Sequence, residues 1–490
     1  MPSFLLITAV ASLIGDSSSC QKAVGIDARA QLKRAAERTG FTGASGRVVH
    51  VRAFDLTDEA FQSDRPYAPP FMTEVASKDQ WLDVATGVER VTSHSTIGGY
   101  EYGATTIGDA RASYLLRDTT LVPDDQTHGA LYATRPLSVW AMLGDWLADS
   151  DVRVEGRCMY RDYTRLVLSR RASEGSERLF IDEKSGYPTK LDRVESHYLW
   201  GQVHVEFVYS TWVRIGSAHL PIATARVVDG TTDVTRTFAT PVFVSRDSAP
   251  LLTIPARSAA MRIALPAFLE PSRPDTVRVN ANTFLLRNRG YTEAVTLARD
   301  TVFVFDATQA DERVHQDSVW IGALFPGRHP IVVVITDLAW PHVAGVRAWV
   351  ARGATIVSHR AARSFLTQVV NRRWTLAPDL LERRRASVSF RFRAVGDSLR
   401  LAGGDITLFP IDGAASEVAL AAFVRPGRFL WASDFIQNVS APTQYLDDVF
   451  AAVTRMGISP ANVAAEHAPL TAWERLIPLA EHAPTPTRPR

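Results

Sequence analysis

The sequence predicts an α+β protein, with an antiparallel β-rich domain over residues 25–250 and a second domain over 276–480 in which strand pairs give way to strands alternating with helices. Three observations carry that reading. Short segments of alternating polarity, separated by turn residues, fill the first half. In the second half, continuous β-branched runs at Ile331-Val-Val-Val-Ile335 and Thr355-Ile-Val357 flank a helical segment, the pattern of two buried parallel strands in a βαβ unit. Between the halves, Ser248-Ala-Pro-Leu-Leu-Thr-Ile-Pro255 and the stretch from Pro266 to Pro274 are punctuated by proline, which marks a linker at 251–275.

In chain order, Phe4-Leu-Leu-Ile-Thr-Ala-Val-Ala-Ser-Leu-Ile-Gly15 is an apolar run too short to span a bilayer and of the length of a signal-peptide core, although no positive charge precedes it. Residues 1–24 are read as an export signal, which puts the mature protein in a periplasm or outside the cell. Cys20 follows Ser17-Ser-Ser, a loose likeness to a lipoprotein cleavage box, so lipid anchoring through Cys20 is a second expectation. With Cys20 removed or acylated, Cys158, the other of the two cysteines, is unpaired and plays the part of a small hydrophobe.

A helix is expected over Ala28 to Arg38, followed by strands at Arg47 to Ala53, Arg165 to Ser169, Arg178 to Asp182 and Gln202 to Tyr209. In the last of these Val203, Val205 and Phe207 alternate with Gln202, His204 and Glu206, one face toward a core and one toward water. The helical segment Leu137 to Ala148, with Trp140, Leu143 and Trp146, reads as core packing; His197 and His204 read as surface histidines. Phe180-Ile-Asp-Glu-Lys-Ser-Gly-Tyr-Pro-Thr-Lys-Leu-Asp192 and the strand ending at Trp212 resemble the half-barrel of bacterial lipoprotein carriers, which implies a curved sheet that cradles apolar ligands.

From Thr276, strands follow at Val277 to Asn280, Thr283 to Asn288 and Thr301 to Ala307, then the βαβ unit. Its first strand delivers the loop Thr336-Asp-Leu-Ala-Trp-Pro-His342 to a site at the strand's C-terminal end. Pro341 fixes the backbone there and biases Trp340 toward an extended conformation, so a redrawn loop is expected. Arg383-Arg-Arg385, with Arg391 and Arg393, is read as a solvated face of a structured region. The tail from His482, within 481–490, is proline-rich and read as disordered.

That loop resembles the first motif of the metallo-β-lactamase-fold hydrolases, Thr-His-x-His-x-Asp-His followed by a small residue and Gly. Ala323-Leu-Phe-Pro-Gly-Arg328, Gly345-Val-Arg-Ala-Trp-Val-Ala-Arg-Gly353 and Thr355-Ile-Val-Ser-His359 extend the resemblance. Matched position by position, Asp337, Ala339 and Pro341 stand where the family has two His and the Asp, and only His342 survives. The hairpin from Ala419 to Asp434 keeps the family's bridging carboxylate as Asp434; Ala415 stands at the hairpin His; Val463-Ala-Ala-Glu-His467 keeps the terminal His. The resemblance implies an αββα sandwich over 276–480 with a degenerate metal site, in which His342, Asp434 and His467 hold at most one Zn or Fe ion, with Asp337 as a substitute ligand. His359 is peripheral, and Glu466, Asp405 and Asp412 read as solvated loop acids.

At 490 residues, 46% hydrophobic and 22% charged, the chain can build two or three full cores, and a net charge of +2 gives no footprint for nucleic acid. No segment after the first is apolar and long enough for a transmembrane span. The functional expectation is an exported, non-catalytic or weakly catalytic protein that uses the cleft to bind a small-molecule or lipid-like ligand. Two alternatives remain open: a mononuclear hydrolase of an ester, lactone or amide, and a lipid or lipoprotein carrier acting through the first domain. No catalytic residue is assigned.

Overall fold

The computed structural model describes residues 20–42, 46–60, 66–97, 100–124, 133–172, 175–215, 218–256, 260–261, 273–288, 290–413, 418–443 and 445–480. The apolar leader before Cys20, the tail from 481, most of the second proline-punctuated stretch and Ala415 lie outside the described residues. Within those residues no helix is long and apolar enough to cross a membrane. The architecture is α+β, mostly sheet with several helices. Two compact units are distinguishable: Met1–Thr57, Glu74–Glu195 and His204–Ile263 form one, and Asp58–Thr73, Ser196–Val203 and Ala264–Arg490 the other.

The first unit is built on an antiparallel sheet of 14 strands. Two meanders, from Arg47 to Pro123 and from Arg153 to Phe238, join where the strand Arg47–Glu59 pairs with Thr231–Phe238. The alternation in Gly201–Ile215 is realised: Val203, Val205, Phe207 and Tyr209 are buried and their neighbours are not. The helix Ala28–Thr39 starts at Asp27, whose side chain accepts from Arg29 N, and ends at Gly40 with φ 77°. It packs on the helix Val139–Ala148, capped by Ser138, and Trp140 Nε1 donates to Thr39 O at 3.1 Å. Cys158 is not unpaired: it forms a disulfide with Cys20, and Gln21 bridges to Arg157 beside it.

The second unit has two sheets. The larger runs Asp275–Arg278, Thr283–Asn288, Tyr291–Ala298 and Thr301–Phe305 antiparallel, then Ile331–Val334, Thr355–His359 and Arg391–Val395 parallel. The smaller runs Leu399–Leu401, Ile406–Pro410, Leu420–Val424, Phe429–Trp431, Asn462–Ala464 and Thr471–Ala472. Phe303, Phe305, Val334 and Val357 of the first meet Leu408, Ala422, Phe429 and Trp431 of the second in a shared core. The outer face of the larger sheet buries Val304, Val333 and Ile356 against Val314, Val346, Trp349 and Phe365, and the helix Leu446–Arg455 covers Phe409, Ala421 and Leu430 of the smaller. The layers are therefore helix, sheet, sheet, helix.

Two buried arginines on the helices of this unit are each held by several acceptors. Arg347, buried, donates to Asp379 at 2.6 and 3.1 Å and to the carbonyls of Val369, Val370 and Arg372. Arg313, also buried, is held by Asp317, Gln309 and Leu286 O. The strand Tyr291–Ala298, which the sequence reading passed over, brings Tyr291 to the end of the sheet where the candidate site lies.

Candidate metal centre

Parallel strands direct their C-terminal ends to one edge of a sheet, and loops there collect side chains from distant parts of the chain. Here Thr301–Phe305 ends at Asp306, Ile331–Val334 leads to His342, Phe429–Trp431 leads to Asp434, and Asn462–Ala464 leads to Glu466 and His467. Pro341 does not extend Trp340, contrary to expectation. Trp340 opens a single helical turn, Trp340–Val343, with the proline in its first turn, where the missing N–H has no helical partner to lose. Gln309 N donates to Pro341 O at 2.6 Å and Ala307 N to His342 O at 3.0 Å, so the turn is pinned to the neighbouring loop.

His342, Asp434, Glu466 and His467 each offer a ligand atom, and these four atoms all lie within 4.8 Å of one another. His342 is 3% exposed and its Nδ1 lies 3.0 Å from Asp337 Oδ1, leaving Nε2 to face Glu466 Oε2 at 2.7 Å. His467 Nδ1 sits 3.0 Å from Gly290 O, and its Nε2 lies 3.3 Å from Asp434 Oδ1. Both rings thus have an acceptor for the Nδ1 proton and present Nε2 to the cluster, as a metal-ligating imidazole does when a carboxylate or carbonyl fixes its tautomer. Gln437 Nε2 donates to Asp434 O at 2.8 Å and also to Asp434 Oδ1. Ser433, just before it, is buried with φ 55°, a left-handed conformation that aims the next residue out of the strand.

Asp337 is not in the four-atom group. It accepts from His342 and from Ala339 N, and its place is behind the imidazole, not as a substitute ligand. Glu466 is the residue the sequence reading misassigned. It is fully buried, flanked by buried Ala465 and Ala468, and its backbone is tied to Ser433 O and Thr292 N. An acid set in the apolar run Val463-Ala-Ala is the sequence signal that pointed inward. The 2.7 Å approach of Glu466 to His342 is an ion-pair contact off the line of a hydrogen bond, and neither Glu466 oxygen has a hydrogen-bond partner. Asp306, fully buried with φ 72°, accepts from Thr336 N at 2.6 Å, Thr336 Oγ1 at 2.5 Å and Trp431 Nε1 at 2.8 Å.

Four carboxylates therefore surround two imidazoles. Burial pushes the Asp434 carboxyl up to about 7, with Asp337 adding to the rise against the pull of His342. Burial likewise holds Glu466 well above the usual carboxylate range. For His342 burial favours the neutral ring, but Glu466, Asp434 and Asp337 outweigh it and hold its pKa well above the ordinary value. Burial and the neighbouring His342 charge bring His467 down to about 4. Buried acids packed against a charged imidazole make a compact set of oxygen and nitrogen donors that a divalent cation can take in exchange for their protons.

The remaining sequence candidates lie elsewhere. His359 Nδ1 accepts from Ala361 N, Asp412 pairs with Arg455 at 2.9 Å, and neither joins the group. His197 is partly buried, accepts from Leu199 N and Trp200 N, and stacks on Tyr198 with its edge to Trp340. Tyr291 places its ring 4.9 Å from His467 and 5.8 Å from His342, and burial raises its phenol pKa.

No protein-family model matches the chain, and no curated protein matches it. Among solved structures it is similar to DIM-1 metallo-beta-lactamase, with 14% identity, a TM-score of 0.35 and coverage of 43% of this chain and 97% of that one. A metallo-beta-lactamase from Erythrobacter litoralis matches with 12% identity and a TM-score of 0.34 over 44% and 98% of the two chains. The mono-zinc form of FIM-1 from Pseudomonas aeruginosa matches with 11% identity and a TM-score of 0.34 over 43% and 94%.

Proposed function

We propose that the second unit binds a single divalent cation, Zn or Fe, through His342 Nε2, His467 Nε2, Asp434 and Glu466, and that the chain is a non-catalytic or weakly catalytic binding protein of metallo-β-lactamase-like fold. The observation that carries the reading is the convergence of four ligand atoms within 4.8 Å with both Nδ1 atoms engaged on the far side. Ligands at about 2.0–2.2 Å from one ion lie no more than roughly 4.4 Å apart, so the four atoms, within 4.8 Å of one another, need to draw in by only a few tenths of an ångström to share one ion. Four protein ligands fill a tetrahedral coordination shell, which supports binding over turnover. A hydrolytic reading is favoured by one specific observation: His467 and Asp434 keep 28% and 25% of their side-chain surface exposed, so one side of the cluster meets solvent.

On the hydrolytic reading the ion supplies Lewis acidity to an ester, lactone or amide carbonyl. The chain's own part is then to fix both rings through Nδ1 so that Nε2 faces the ion's place, and to present Tyr291 as an O–H donor, protonated at neutral pH, beside them. Elemental analysis of the purified chain beside Glu466→Gln tests the binding reading: about one ion per chain, lost in the variant, supports it. No ion in either overturns it, and ester or lactone turnover that disappears with the ion replaces it by the hydrolase. Export is part of the proposal, supported by the Cys20–Cys158 disulfide, a bond that persists in oxidising compartments; it keeps Cys20 in the mature chain, so the leader is cut before Cys20 and not at residue 24, and it leaves no thiol on Cys20 for a lipid. The apolar cavity beside Trp140 in the first unit measures about 30 Å³, too little for an acyl chain, so that cavity lends the carrier reading no support.

A further inference from the structure

We propose that the second unit carries a binding site for an organic anion with an apolar body, in a cavity between its two sheets at the edge opposite the His342 cluster. The cavity measures about 500 Å³, within the range of ligand pockets, and its walls include Thr301, Val332 and Thr355 at the N-terminal ends of the parallel strands. The cation cluster lies at the C-terminal ends of the same strands. The five residues of Thr301–Phe305 set the two sites roughly 13 Å apart along the strand. This inference stands whether or not a metal binds.

The floor is apolar, since Phe303, Val332 and Val357 belong to the core between the sheets. The rim carries Arg299, Arg393 and Arg400 against one carboxylate, Asp300, which accepts from Thr301 Oγ1 at 3.2 Å. None of these three guanidinium groups has an ion pair or a hydrogen bond among the described residues, whereas Arg313 and Arg347 of the same unit use theirs on carboxylates and carbonyls. Arg393 pairs in register with Val357 and stands two residues from Val395, both on the core-facing side of the sheet, so it shares that face at the cavity mouth. Arg299 lies across Gly403, where φ is 65° and a Cβ would collide with the guanidinium; only glycine leaves it that path.

Three guanidinium groups against one carboxylate on a cavity rim leave an excess of positive charge that a carboxylate or phosphate matches, and each guanidinium can grip such an anion through two N–H donors. Of the floor, Phe303 and Val357 are already packed away and Val332 is half-buried, so an apolar body joined to the anion covers the part that Val332 leaves open. A bare inorganic anion leaves the floor wet, and a neutral hydrocarbon leaves the arginines unmatched.

The test uses the full chain and isothermal titration with decyl phosphate, decanoate, inorganic phosphate and decyltrimethylammonium, each amphiphile below its micelle-forming concentration. One site for decyl phosphate or decanoate, weakened roughly tenfold or more in Arg299→Ala/Arg393→Ala and recovered in part by Arg299→Lys/Arg393→Lys, is the expected result. The two anionic arms tell a phosphate headgroup from a carboxylate. Equal binding of the cationic amphiphile, binding of inorganic phosphate as tight as that of its decyl ester, insensitivity to the double substitution, or no binding at all overturns the proposal. Unchanged thermal melting of both variants shows that a loss of binding is not a loss of fold.

Discussion

Two clusters among the described residues bring carboxylates and imidazole within metal-ligating distance, and they differ in the kind of positive charge the chain sets among the acids. In the first unit Asp192, His204 and Glu206 meet, but the buried Lys190 ammonium stands among them, 3.0 Å from Asp192 and 2.6 Å from Glu206, over the Phe180 ring at 4.3 Å. The chain supplies the positive charge covalently. In the second unit His342, Asp434, Glu466 and His467 meet, and among the described residues no lysine or arginine pairs with them; the charge beside Glu466 is the His342 ring, 2.7 Å away. Spacing alone does not distinguish the two; the source of the charge does, since the His342 ring can release its Nε2 proton and become a ligand, whereas the Lys190 ammonium stays between its acids.

The sharpest way to break the comparison is metal content. His342→Ala and Glu466→Gln should abolish a stoichiometric ion, whereas His204→Ala should leave it unchanged; retention in the first two, or loss in the third, would show that the ion sits elsewhere. Lys190→Met should cost roughly 3–5 kcal/mol in urea unfolding, because the buried Asp192 and the half-buried Glu206 lose their partner. A change below about 1 kcal/mol would mean that solvent already reaches that cluster. Asp337→Asn should keep the ion but weaken its binding about 10–100-fold, measured by competition with a chelator, since the imidazole loses its carboxylate support. An unchanged affinity would remove Asp337 from the site.

The most gradual effect is that of pH. His467, down at about 4, is already neutral near neutral pH, whereas Asp434 at about 7 must give up its proton to ligate. His342 and Glu466, both held above their ordinary values, must give up protons as well, so affinity should rise with pH through about 7 and go on rising above it, and fall by more than roughly tenfold per unit where more than one of these protons is displaced. The metal-free chain should respond in the opposite sense. An acid whose folded pKa lies above its usual value of 3.8 stabilises the fold below that value, and the contribution is lost as pH rises toward 7. Chemical denaturation with chelator present, at several pH values across that window, reads this directly.

Periodicity made the strands legible where one face is buried, as at Val203, Val205 and Phe207, or where both are, as at Ile331–Val334. His342, Asp434 and His467 were named from their motif positions, and the fold brings them together. Glu466 was not recognised because a charged residue before His-Ala-Pro reads as a solvated loop; only the return of the chain under Ser433 O buries it. Asp306 escaped notice for a similar reason, since its partners Thr336 and Trp431 lie 30 and 125 residues away. The disulfide is a third case. Two cysteines 138 residues apart carry no local sign of pairing, and the leader-like sequence before Cys20 suggested a different fate for it.

That covalent link has a practical side. A protease that nicks the backbone at any single point between Cys20 and Cys158 yields two pieces that still migrate together on a gel, and separate only once a thiol reagent is added. Limited digestion run with and without reductant would thus map the cleavable turns of the first meander without scattering its fragments.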